Sequence, residues 1–216
     1  MKKLIVLTFL SALLFTASCG DKKTGNAKPG ANATAEVKKG VTPIADNEIA
    51  VIEMENSAAY GTIKVEFYSN IAPKMVARFK ELAKEGVYDG TTFHRINTSV
   101  IQGGDPLSKD GEPRNDGTGK SDKPNVDAEF SDILYDTGIL GAARGPDNNS
   151  ANSQFFITLK RESGFDNRYT IFGKVIDGMN NVRTISGVPP TEKEGERPIE
   201  PIRIKHISIV PRDEAK

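Results

Sequence analysis

The residues best suited to chemistry lie in two short stretches. The first is Thr91-Thr92-Phe93-His94-Arg95-Ile96-Asn97-Thr98-Ser99-Val100-Ile101-Gln102-Gly103-Gly104-Asp105. It reads as two short strands joined by a tight Asn-Thr-Ser link. If the first strand is regular, Phe93 and Arg95 share one face, and His94 and Ile96 take the other. Val100 and Gln102 likewise share a face of the second strand. An arginine set among apolar residues keeps its charge and offers five donors in a fixed fork. Such a side chain either holds a loop through backbone carbonyls or serves a site. The second stretch, Gln154-Phe155-Phe156-Ile157-Thr158, alternates so that Gln154 and Phe156 fall together. Arg95, Val100, Gln102, Gln154 and Phe156 together make an apolar patch with one fixed cation and two amides. That surface suits a neutral peptide segment carrying a bulky apolar residue.

Other chemistries find little support in the residue types. The two histidines, His94 and His206, are far apart and belong to no ligand motif. No Gly-x-Ser-x-Gly elbow supplies a hydrolytic serine, and Gly103-Gly104 reads as a turn rather than a phosphate loop. The aspartates between residues 105 and 128 do not follow EF-hand spacing, and no bidentate glutamate closes them. That segment reads as a long surface loop.

The elements that must position these residues begin at Glu48. Ile49, Val51, Ile52 and Met54 suggest a strand, and Ile63, Val65 and Phe67 alternate cleanly in a second one. Pro73 suits the first turn of a helix and Gly86 its end, with Met75, Val76, Phe79, Leu82 and Ala83 as its apolar stripe. Strands follow at Gly138–Arg144, Gln154–Thr158 and Tyr169–Val175. Asp177 can cap a second helix carrying Met179, Val182 and Ile185. A Pro/Glu/Lys loop then leads to a last strand, Ile202–Val210. Many antiparallel strands with two helices predict a mainly β fold, a closed barrel plugged at its ends.

The chain has 216 residues, with 29 Lys+Arg balanced by 29 Asp+Glu, so no global charge draws it to nucleic acid. With a single cysteine it can form no internal disulfide. Lys2 and Lys3, the apolar run Leu4 to Phe15 and the small residues before Cys19 match a secretory signal, too short to span a bilayer. Cys19 is similar to the acylated cysteine of a bacterial lipobox, although Thr16 stands where leucine is usual; ordinary signal cleavage near Ser18 is the other reading. The expected organisation is a signal peptide at 1–18, a lipidated Cys19 with a flexible tether through residue 47, a domain at 48–212 and a tail at 213–216. The expected location is the bacterial envelope, lipid-anchored on the periplasmic side.

Phe93-His94-Arg95-Ile96, Gln102-Gly103-Gly104-Asp105, Ser153-Gln154-Phe155-Phe156-Ile157 and Tyr169-Thr170-Ile171-Phe172-Gly173-Lys174-Val175 occur in an order and spacing that resemble the cyclophilin family of peptidyl-prolyl cis-trans isomerases. The likeness runs from about Ile49 to Val210. It implies an eight-stranded antiparallel barrel with a helix at each end. It implies Arg95 as the catalytic arginine and Phe156 as the floor of a proline pocket, with Val100 where methionine is usual and Phe165 where leucine is usual. Gln102 and Gln154 would hydrogen-bond the substrate backbone. Ala143 and Arg144 would line the groove for the residue preceding proline, and Tyr169 replaces a common histidine. The Ile96–Val100 link is one residue short, so that Ser99 falls where the pocket has a phenylalanine; Gly164 falls where an aromatic residue is frequent. Those two departures imply a wider and weaker pocket, and cyclosporin-like binding, expected of tryptophan-bearing members, should be poor in a chain without tryptophan. The implied activity is isomerisation of X-Pro bonds in exported proteins, by a monomer needing neither metal nor cofactor. A peptide-binding module of the same fold with little turnover is the alternative.

Overall fold

The structure is a computed structural model that describes residues 35–191 and 195–214. The expected signal peptide, Cys19 and the tether up to residue 34 lie outside the described residues.

Eight strands form one antiparallel sheet. In chain order, a two-residue strand β1 (Val37–Lys38) is followed by β2 (Glu48–Met54), a single helical turn α1 (Ser57–Tyr60), β3 (Thr62–Phe67) and helix α2 (Pro73–Lys84). Then come β4 (Arg95–Ile96), β5 (Val100–Gly103), β6 (Phe130–Ser131), β7 (Ile139–Ala142), β8 (Phe155–Thr158) and β9 (Ile171–Asp177). Helix α3 (Met179–Ser186) and β10 (Ile204–Pro211) complete the fold. The large sheet runs β10-β2-β3-β9-β7-β8-β5-β4, and β1 pairs in parallel with β6 apart from it.

The expected closed barrel is instead an open half-barrel, because the ladder ends at β4 and β10. The physical reason lies in β4, which is only two residues long. Its outer Ile96 N–H donates to the Glu196 carbonyl at 2.6 Å, in the loop after α3, rather than to β10. The two edges approach each other through the residues before β4, in an isolated Thr92–Arg203 bridge flanked by hydrogen bonds from Phe93 N–H to the Ile202 carbonyl, from Gly90 N–H to the Ile204 carbonyl and from Ile204 N–H to the Thr91 carbonyl.

Alternation sorts the sheet into two apolar layers. Ile63, Val65 and Phe67 of β3 point inward with Ile101, Leu140, Phe155 and Ile157. They pack against the α2 stripe of Met75, Val76, Phe79, Leu82 and Ala83, each at most 1 % exposed, and against Val182 and Ile185 of α3. Each large buried side chain is worth about 1.5–3 kcal/mol relative to exposure. The opposite face of β5, β7, β8 and β9 carries a second cluster of Val100, Ile139, Phe156 and Ile171, joined by Tyr68, Ile71 and Tyr135. That outer layer underlies the candidate site.

Two local expectations change. Asp177 does not cap α3; Gly178 is the cap, with φ of +82°, because an added Cβ there would lie 2.2 Å from the Thr62 carbonyl. Residues 35–47, read as tether, are tied to the domain. Val37 and Lys38 pair with Phe130 and Ser131, the Asp46 carboxylate accepts from the Ser69 hydroxyl at 2.6 Å and from Lys80 at 2.8 Å, and Asn70 bonds the backbone at Thr42 and Ile44. The segment is polar, and backbone and side-chain hydrogen bonds hold it where apolar burial does not.

Helix α2 takes its N-terminal cap from far away in the sequence. Ala72 offers no capping side chain, and the buried Glu129 carboxylate accepts from the N–H groups of Lys74 at 3.1 Å and Met75 at 3.0 Å. A carboxylate there satisfies two orphan donors and complements the helix dipole. Glu129→Ala is expected to lower stability by about 1–3 kcal/mol, read as a lower urea midpoint at constant slope. An unchanged midpoint would show that water replaces the cap without cost.

Candidate functional site

Register explains how residues distant in sequence come together. Arg95 of β4 pairs with Gln102 of β5, Gln102 with Phe156 of β8, and Phe156 with Gly141 of β7. Opposed residues on adjacent strands point to the same face, so the cation, the amide and the aromatic ring form one row across the sheet. Gly141 completes it by having no side chain: a Cβ there would lie 2.3 Å from Cζ of Phe156. The ring lies over the glycine, so it stays flat against the sheet.

Phe156 is 5 % exposed and sits in an aromatic cluster. Tyr135 stacks on it with centroids 5.8 Å apart and planes 27° apart. Phe165 and Tyr169 meet its edges at 5.5 and 5.7 Å. Val100 and Ala143 complete an apolar hollow within a cleft of about 730 Å³. Arg95 stands at the rim, with 46 % of its side chain exposed. Its Nε donates to Glu196 and its Nη1 to Gln102 Oε1 at 3.2 Å. Gln102 Nε2 then donates to Gln154 Oε1 at 2.9 Å, and Gln154 Nε2 donates to the carbonyls of Gly117 and Gly119 at 3.0 and 2.9 Å. Arginine, two amides and a loop are thus one hydrogen-bonded chain.

Most of the residues expected from the sequence meet here. Arg95, Val100, Gln102, Ala143, Arg144, Phe156, Phe165 and Tyr169 all line the cleft. Gln154 lines an adjoining cavity of about 330 Å³, which Gln102, Ala143 and Arg144 share. Ser99 stands outside both. Asn97 Oδ1 accepts from the N–H groups of Ser99 and Val100 at 2.8 and 2.9 Å, closing the short link. Ser99 Oγ instead donates to Glu162 at 2.6 Å. Gly164 has open space where a Cβ would be added. Phe93 does not share a face with Arg95. Regular strand begins only at Arg95, and Phe93 is fully buried against Phe155 on the core side.

Arg144 sits over Tyr169, with Cζ 4.7 Å from the ring centroid. Its Nη2 and Nε donate to the Arg168 carbonyl at 2.8 and 3.3 Å, and Nη1 to the Gly145 carbonyl at 2.9 Å. It is a fixed cation at the junction of the two cavities.

Several contributors escape a sequence reading. Tyr135 lies in a segment without alternation, yet it is fully buried and burial drives its hydroxyl pKa well up. Glu196, 101 residues from Arg95, lies in an unpatterned polar loop. Its hydrogen bond from Arg95 holds its carboxyl below the ordinary glutamate value, against an opposing push from burial. The loop read as mere surface supplies a wall through Pro113, Arg114, Asp116, Gly117 and Thr118. Buried Asp105 shapes it by accepting from the N–H groups of Leu107, Gly117 and Gly119. His94 lines the cleft as well, and burial lowers its pKa, which favours the neutral ring. The only sequence signal for that loop was Asp105 itself, directly after two glycines.

Comparison with known proteins agrees with this geometry. Residues 51–209 match the model of the family described as cyclophilin type peptidyl-prolyl cis-trans isomerase/CLD. The chain is 39% identical over 164 residues to peptidyl-prolyl cis-trans isomerase ppi1 of Schizosaccharomyces pombe, covering 72% of this chain and 96% of that one. It is 39% identical over 130 residues to a probable peptidyl-prolyl cis-trans isomerase of Brucella abortus, covering 58% and 66%. Among solved structures, a Cryptosporidium parvum cyclophilin type peptidyl-prolyl cis-trans isomerase, crystallised in the presence of the dipeptide Ala-Pro, superposes with a TM-score of 0.66 at 32% identity. That superposition covers 76% of this chain and 99% of the parasite protein.

The Phe156–Gly141 contact gives a direct test of the hollow. Gly141→Ala is expected to push the ring off the sheet, shift the ring-current-sensitive NMR resonances of Ala143 and Val100, and cost about 1–3 kcal/mol by overpacking. Unmoved resonances would mean that the ring does not lie over the glycine.

Proposed function

This chain belongs to the cyclophilin-type peptidyl-prolyl cis-trans isomerases, and from that premise we propose that its cleft seats X-Pro segments of exported polypeptides and assists their folding, with Arg95 as the catalytic residue. The observation that carries the reading is the single row of Arg95, Gln102 and Phe156 across three strands. In this reading the proline ring enters the hollow of Phe156, Val100, Phe165, Ala143 and Tyr169. Gln102 and Gln154 bond the backbone beside it, and Arg144 borders the groove for the preceding residue. The likeness to a relative crystallised in the presence of Ala-Pro supports a proline-containing ligand here.

The mechanism follows from the peptide bond. Delocalisation of the nitrogen lone pair gives a rotational barrier of roughly 18–20 kcal/mol, and uncatalysed X-Pro exchange takes about 10–100 s. In the twisted state the nitrogen becomes pyramidal and regains its lone pair. A guanidinium N–H can donate to that lone pair and finds no such acceptor in the planar state. Only a contact of this differential kind speeds the step. One charged hydrogen bond supplies about 1.5–3 kcal/mol, whereas a millionfold acceleration takes roughly 8 kcal/mol. The remainder comes from the hollow, which fixes the ring while the other side of the bond turns, and from exclusion of water around the reacting amide. No covalent bond is made or broken.

The envelope location rests on the sequence alone: the basic start, the apolar run Leu4 to Phe15 and Cys19 after small residues. Cys19→Ser is expected to move the protein from the membrane to the soluble extract of cells making the full chain. Retention of the variant in the membrane fraction would remove the lipid anchor from this reading.

For the activity, the full chain is expected to accelerate cis-trans exchange of a short X-Pro peptide in exchange NMR. Arg95→Ala should lower kcat/KM by about a hundredfold with an unchanged circular dichroism spectrum. An unaltered rate in that variant would refute the role of Arg95. Peptide binding by the unaltered chain without exchange would favour a binding module, a reading motivated by the open space at Gly164 and by Ser99 lying outside the cleft.

A further inference from the structure

We propose that Glu196 is a positioning residue for Arg95: its carboxylate grips the Nε edge of the guanidinium and so aims the outer nitrogens into the cleft. The proposal rests on the isomerase reading of that cleft. Glu196 makes three contacts to one short segment. Its Oε2 accepts from Arg95 Nε, its Oε1 accepts from Asn97 Nδ2 at 2.9 Å, and its backbone carbonyl accepts from Ile96 N–H at 2.6 Å. Asn97 in turn accepts from the N–H groups of Ser99 and Val100. The loop after α3, the arginine and the turn beneath Val100 therefore move as one unit.

The choice of edge separates positioning from inhibition. A guanidinium presents Nε on one side and two Nη groups at its end. A carboxylate on the Nη groups would compete with a ligand for the same donors. Here the carboxylate takes Nε, Nη1 donates to Gln102, and Nη2 has no hydrogen-bond partner among the described residues. A half-exposed arginine free to sample its rotamers would lose that freedom on meeting substrate. The Glu196 clamp removes much of the loss in advance, which is preorganisation.

The pair also sets a pH dependence. The charged and titratable groups that line the cleft with Glu196 are Arg95 from β4, Arg197 beside it in the loop, and His94, Arg114, Asp116, Arg144 and Tyr169, and of these Arg95 bonds its carboxylate. The Arg95 contact lowers the Glu196 pKa, so the ion pair persists through neutral pH. It is lost as pH falls through the lowered value, beneath the ordinary glutamate figure of about 4.3. Activity should therefore fall on an acidic limb that belongs to Glu196.

The test uses the full chain and exchange NMR with an X-Pro peptide across pH. Glu196→Ala should lower kcat about five- to tenfold with little change in KM, a range set by a charged hydrogen bond discounted for exposure. Glu196→Gln keeps an acceptor without the charge and should recover part of the rate. Both variants should lose the acidic limb. The Arg95 Nε–H resonance, displaced in the unaltered chain, should move toward that of a free arginine in Glu196→Ala. Glu200→Gln, in the same loop, should leave every reading unchanged. A kcat that holds or rises in Glu196→Ala, or an acidic limb that survives in both variants, overturns this inference alone. Absence of exchange in the unaltered chain overturns the isomerase reading and this role with it.

Discussion

Everything at the cleft depends on one matter of strand register. The backbone ladder sets Arg95 opposite Gln102, Gln102 opposite Phe156, and Phe156 opposite Gly141. A slip of one residue in any of these pairings would turn that strand's side chains to the other face. Such a slip in β5 would bury Gln102 in the core and expose Ile101, which is fully buried. The apolar inner layer therefore enforces the register, and the register delivers the polar row to the outside. Stability and the geometry of the cleft are coupled through the same hydrogen bonds.

The cleft also combines two environments that chemistry rarely permits side by side. Its floor is aromatic, built from Tyr135, Phe156 and Phe165 in edge and stacked contacts. Its rim carries Arg95 and Arg144, each held by specific hydrogen bonds rather than left to solvent. Fixed donors beside an apolar surface lose little on meeting a ligand, because they have little freedom left to lose.

Long-range contacts from polar segments complete the arrangement. Asp105 bends the 105–119 segment so that its carbonyls receive Gln154, and Glu196 reaches back to Arg95 and Asn97. Glu129 does the same for α2, and Asp46 ties the N-terminal segment to Ser69, just after β3, and to Lys80 of α2. In each case a carboxylate on a loop satisfies backbone or cationic groups, those of the loop itself for Asp105 and those of a regular element for Glu129, Asp46 and Glu196. The sheet supplies the platform, and these carboxylates place the pieces that surround it.

What the sequence determined by itself was whatever repeats at short range. The alternation of Ile63, Val65 and Phe67 and the 3.6-residue stripe of α2 are local, so they marked the buried faces that the structure shows. The motifs around Arg95, Gln102, Gln154 and Phe156 identified the family because their order along the chain is itself a signature. Tertiary structure alone decided the rest. It left the barrel open at β4, whose outer edge a loop carbonyl occupies, and it turned Ser99 away from the cleft because the shortened link closes on Asn97. It tied residues 35–47 to the domain, put Tyr135 beneath Phe156, and brought Glu196 to Arg95 across 101 residues. Those outcomes arise from contacts between segments with no shared period, and a polar loop carries no local mark of the side chain it will meet.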